Sequence, residues 1–224
     1  HNKASSQGGG IYIQNSDPIL SNVLINDNTI QDNASGIGIH MSDSNPELTN
    51  ITLVNNKFNG NYPQQFGGGM YLVNSDPKVV NSIFWDNMFA SIFIHSGVPL
   101  ISYSNVEDIT DQFGNYFWES LEDSTEIDNW LTVSGEGNLF PQNPRFMNPS
   151  LQDYALRSTS PCINTGNPNK IYTDLADGTS ANLGHFGGAY VRPSFVDHNL
   201  GTIDQNDNIS WGLFNYSDSI ITIE

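Results

Sequence analysis

Along the first hundred residues, apolar and polar positions alternate in short bursts, each closed by Asn, Asp, Gly or Pro. The segment Gly8-Gly9-Gly10-Ile11-Tyr12-Ile13-Gln14-Asn15-Ser16-Asp17-Pro18 recurs as Gly67-Gly68-Gly69-Met70-Tyr71-Leu72-Val73-Asn74-Ser75-Asp76-Pro77. Looser copies run from Gly36 to Pro46 and from Ser91 to Pro99. The four prolines lie 28, 31 and 22 residues apart, and the longest gap holds an insertion, Asn61-Tyr62-Pro63-Gln64-Gln65. Four positions after the proline stands Asn22, Asn50 or Asn81, with Tyr103 in the last copy. Ten positions after it stands Asn28, Asn56 or Asn87. Between these asparagines lie β-type segments such as Val23-Leu24-Ile25 and Ile51-Thr52-Leu53-Val54. Each period therefore predicts three short strands separated by turns.

A period of 22–31 residues built from three strands suits one turn of a coil. One coil cannot bury its apolar face alone, whereas stacked coils share a continuous core. Strand spacing of about 4.8 Å brings equivalent residues of successive coils together. Asn22, Asn50 and Asn81, and likewise Asn28, Asn56 and Asn87, are then expected to form amide ladders, each side chain donating to one neighbour and accepting from the other. Asn also tolerates the left-handed backbone that sharp corners need.

These residues resemble the right-handed parallel β-helix repeat proteins of bacterial surfaces, the pectate-lyase-like group with Gly-Gly-Gly-Ile-Tyr and Asn-Ser-x-Pro signatures. The clear repeats cover about residues 5–103. Asn143-Pro144-Arg145-Phe146, Ser158 to Gly166 and Asp177 to Gly188 look like the closing segment of such helices. The expected fold is all-β: a right-handed parallel β-helix, or solenoid, of about six or seven coils over residues 1–193. It carries an inserted loop at about 104–134, and residues 194–224 form a C-terminal extension, either a linker or the start of a following β module.

Composition narrows the function. Seven basic and 24 acidic residues give a formal charge of −17. Phosphate backbones need clustered Lys and Arg, so nucleic acid is not an expected partner. Anionic membranes and polyanionic substrates are disfavoured by the same field. No apolar run approaches the roughly 20 residues of a membrane-spanning helix, so no membrane insertion is expected of this segment. Cys162 is the single cysteine, which excludes an intrachain disulfide. The 29 asparagines and 20 glycines disfavour a helical domain. The first residue is His, and the last residues, Ile220 to Glu224, read as mid-strand, so the chain is expected to be a piece of a longer polypeptide with an open coil at each end.

Three groups of residues carry candidate chemistry. Tyr12, His40, Tyr71 and Phe93 each stand six positions before a proline, between apolar residues that should point inward. The four rings are then expected outside, where they could stack on sugar rings or on one another. Asp17, Asp43 and Asp76, with the pair Asp174 and Asp177, are candidate calcium ligands, because calcium takes six to eight oxygens. Turn chemistry explains the same residues without a metal. No other cofactor is expected.

No catalytic set emerges. The resemblance to polysaccharide lyases implies acidic calcium ligands plus a Lys or Arg base, yet the seven basic residues share no column of the repeat. Asp17 and Asp43 on adjacent coils could approach the spacing of an inverting hydrolase. The expected role is a non-enzymatic structural or adhesive module, extracellular or on the cell surface. Its expected partners are copies of itself or neighbouring domains met through open coil ends, and polysaccharide. A lyase or hydrolase of the same fold is the alternative.

Overall fold

A computed structural model describes residues 2–5, 7–30, 35–58, 67–113, 135–139, 141–174 and 179–188, together with the strands Gly212–Phe214 and Ile220–Thr222. The chain divides into two compact units, His1–Val191 and Arg192–Glu224. In the second unit the two described strands pair antiparallel.

The first unit is built from stacked parallel strands. One face is formed by Ile11–Gln14, Ile39–Ser42, Met70–Val73, Ile92–Ile94 and Ile109–Asp111, each in register with the next. A second face begins with Ile19–Asn26 and Glu47–Val54. It continues through Lys78–Val80 with Ile83–Trp85, then Leu100–Ser102 with Asn105–Val106. A short third face holds Lys3–Ala4, Thr29–Ile30 and Lys57–Phe58. Among the described residues there is no α-helix. The chain is thus the all-β parallel β-helix that its repeat predicts.

The corners explain the Asn, Asp and Gly content. Asn15, Asp43 and Asn74 close the first face with φ of 50°, 52° and 46°. Asn22, Asn50 and Asn81 bend the second face with φ of 55°, 54° and 54°. Asp27, Asn55 and Asp86 leave that face in the same left-handed region. Short polar side chains tolerate this backbone better than any other non-glycine residue. Between corners, the strands bury columns of apolar residues. Leu48, Val79 and Ile101 form one column, and Ile25, Leu53, Phe84 and Val106 another.

Asn105–Val106 and Ile109–Asp111 still pair in the stack, so the coil runs on past 104. Most of the inserted loop, residues 114–134, lies outside the described residues. Among the described residues five strands stack on the first face, and a parallel bridge from Asn105 to Leu139 carries the second face further. The described residues between 143 and 188 add no further strand to the first face. They form an antiparallel pair, Phe146–Asn148 with Asp153–Leu156, and loops that pack on the outer side of the second face. The reason is hydrophobic: Val54 and Ile83 point out of the coil and are covered by Phe146, Tyr154, Cys162 and Leu183.

Candidate functional site

The aromatic column forms, but it is not the open surface expected of it. Tyr12, His40, Tyr71 and Phe93 stack in sequence with centroids 5.2, 5.2 and 5.3 Å apart. His40, Tyr71 and Phe93 are 3, 8 and 8% exposed, while Tyr12 is 46% exposed. Each inner ring is closed by a ring on both sides, and the left-handed glycines Gly8, Gly36 and Gly67 bring the backbone against the base of the column. A Cβ on any of the three would lie 2.8 Å from the Cβ of Tyr12, His40 or Phe93, respectively. His40 also shares a 3.2 Å hydrogen bond between its Nδ1 and the Ser35 hydroxyl. Its burial lowers the imidazole pKa below the ordinary value. Among the described residues of the stack, Tyr12 is the half-exposed ring at its end.

The two asparagine columns behave differently. The Asn56 Oδ1 accepts from the backbone N–H and the side-chain amide of Asn28, at 3.1 and 2.9 Å. The Asn87 Oδ1 accepts the same two bonds from Asn56, at 3.2 and 2.9 Å. This is a buried ladder. The ladder expected of Asn22, Asn50 and Asn81 does not form, although these residues do stack in register. Their corner backbone turns the amides out of the coil, where the C-terminal segment competes for them. Asn22 and Asn50 donate to the Gly187 carbonyl at 2.8 and 2.6 Å. Asn81 Oδ1 accepts from the Asn167 N–H at 2.7 Å.

The candidate calcium ligands separate. Asp43 aligns with Asn15 and Asn74, whereas Asp17 and Asp76 align with Asn45. Asp17 Oδ1 accepts the Asn45 N–H at 2.5 Å, Asn45 Oδ1 accepts the Asp76 N–H at 2.8 Å, and Asp76 Oδ1 accepts the Val98 N–H at 2.6 Å. Asp43 accepts from Ser42 and Asn74. Asp174 is buried and accepts the backbone N–H groups of Gly188 and Asn182, at 2.5 and 3.2 Å. Asp177 lies outside the described residues. Among the described residues no three His, Cys, Asp or Glu side chains converge as a metal site.

The C-terminal flank creates a feature that the repeat does not announce. Between it and the second face lies a cleft of about 820 Å³. Trp85 and Asp86 of the coil line it together with Arg145, Phe146, Tyr154 and Arg157 of the flank. Phe146 and Tyr154 meet edge to face at 5.3 Å. The Tyr154 hydroxyl donates to Asp27 at 3.1 Å. Burial, and the negative charge of Asp27 beside it, push this phenol up to about 12. Arg145 donates to the Thr159 carbonyl, and Arg157 to those of Phe146 and Met147. A signal for this site was present in the sequence: Ile51 to Val54 and Ile83 to Trp85 are apolar on nearly every residue, the mark of strands covered on both faces.

The family model for the right handed beta helix region matches residues 1–143. No curated protein and no solved structure matches the chain.

Proposed function

The chain belongs to the right-handed β-helix family, and on that premise we propose that it is a non-enzymatic structural and adhesive module of an extracellular or cell-surface protein. One observation carries this reading. The two carboxylates that a hydrolase would pair are committed to joining coils: Asp17 accepts the Asn45 N–H and Asp43 accepts the Asn74 side-chain amide, each from a neighbouring coil. The net charge of −17 gives a strongly solvated surface and repels uronate polymers. Ile11–Gln14 and Ile19–Asn26 lie at the ends of their sheets, which supports end-on contact with another coil or another copy.

The rival reading, a carbohydrate-active enzyme, draws on Glu107 and Asp108. Burial pushes both carboxyls up, as a general acid requires. Incubation with pectin, polygalacturonate, alginate, xylan and β-glucan separates the two. The module reading expects neither new reducing ends nor absorbance from unsaturated products. Turnover that disappears in Glu107→Gln or Asp108→Asn overturns it.

A further inference from the structure

We propose that the cleft between the coil stack and the C-terminal flank is a binding site for a neutral oligosaccharide. This rests on the adhesive reading and gives it a location away from the aromatic column. The cleft has a floor and a rim of different chemistry. Phe146 and Tyr154 are buried at its base, and Trp85 is half-buried. The tryptophan supplies an aromatic face on which a pyranose C–H surface can stack, and its indole N–H makes no hydrogen bond to the described residues.

The rim carries charge of both signs. Arg145, Arg157 and Asp86 are exposed there. Each guanidinium is already held by backbone carbonyls, which leaves further N–H groups in a fixed orientation. Asp86 is steadied by its left-handed backbone, with φ of 51°, and by Lys57 at 3.7 Å. Fixed donors on one wall and a carboxylate on the other suit sugar hydroxyls, which donate and accept at once. Mixed charge at the rim and a strongly acidic chain around it argue against a polyanionic ligand. A volume of about 820 Å³ holds two or three sugar rings.

Isothermal titration of the whole chain with cellotetraose, xylotetraose, mannotetraose and β-1,4-galactotetraose tests this, with tetragalacturonate as the anionic control. At least one neutral tetrasaccharide should bind saturably. Trp85→Leu, which keeps an apolar side chain on the covered face, should weaken it at least tenfold. Asp86→Asn, which keeps a residue suited to the left-handed backbone, should weaken it severalfold. Tyr12→Ala should leave it unchanged. The proposal fails if no neutral tetrasaccharide binds, if only tetragalacturonate binds, or if Trp85→Leu and Asp86→Asn bind as the parent does. Loss in Tyr12→Ala alone would move adhesion to the aromatic column and leave the module reading intact. Cleavage of the bound sugar would overturn the module reading while leaving the cleft in place.

Discussion

Asparagine serves two purposes in this chain, and the residue scale separates them. At Asn22, Asn50 and Asn81 the backbone needs a left-handed corner, and the side chain faces outward to the flank. At Asn28, Asn56 and Asn87 the amide is buried, and its two ends match the needs of the coils on either side. Asn56 has the most to lose, because its Oδ1 accepts two N–H groups of Asn28 and its amide nitrogen donates to Asn87. Each buried polar group left without a partner costs about 1–3 kcal/mol. Asn56→Ala should therefore lower stability by about 3 kcal/mol in urea unfolding. Asn56→Asp restores the acceptor but buries a carboxylate, so its deficit should shrink as pH falls towards 4. If Asn56→Ala unfolds within about 0.5 kcal/mol of the parent, the ladder holds nothing.

At the scale of the element, the glycine turn and the strand after it act as one unit. Gly36 and Gly67 let the backbone turn in against the base of the ring column, and stacking on both faces buries His40 and Tyr71 although they stand on the outer side of the first face. Tyr71 sits between His40 and Phe93, whereas Tyr12 has a neighbour on one side only. Tyr71→Ala should thus cost about 3–5 kcal/mol, in the range of buried aromatic deletions. Tyr12→Ala should cost about 1 kcal/mol or less, and thermal unfolding of the two variants checks the contrast. Equal losses would mean that the column is not a graded stack. The same unit shows what the sequence could and could not tell. Alternation within Ile11-Tyr12-Ile13 placed the rings on the outer side and in one column, because strand periodicity is local. Their burial depends on which rings stack above and below in neighbouring coils, which alternation within one strand does not encode. The asparagine columns read identically for the same reason: spacing marks a shared position, and only the neighbour in space decides whether an amide meets another amide or Gly187. The sequence marked only the coil wall of the cleft, through the doubly apolar strands around Val54 and Trp85; the facing wall comes from residues 143–159, outside the repeat, which no spacing places there.

Across the whole first unit, the flank is tied to the coils through groups that respond to acid. His185 donates its backbone N–H to the Thr52 hydroxyl at 3.0 Å, and its Nδ1 lies 2.8 Å from the same oxygen. Burial depresses this imidazole to about 4, against the opposing charge of Asp153. The unfolded chain therefore binds a proton near pH 6.5 that the folded chain refuses until about pH 4. Between those values the unfolded state holds more protons, so folding stability falls as pH falls. The loss from His185 reaches up to about 3 kcal/mol at the acid end, and His40, also depressed by burial, adds in the same direction. Glu107 and Asp108 work the other way, because their raised pKa values favour the folded state once they are protonated. Replacing His185 by Gln removes one titrating group and keeps a side chain able to hydrogen-bond Thr52. Urea unfolding at pH 7, 5.5 and 4.5 should show a steep decline for the parent and a shallower one for His185→Gln. Parallel curves would mean that the ring titrates normally and that the flank is not held where the Thr52 contact places it.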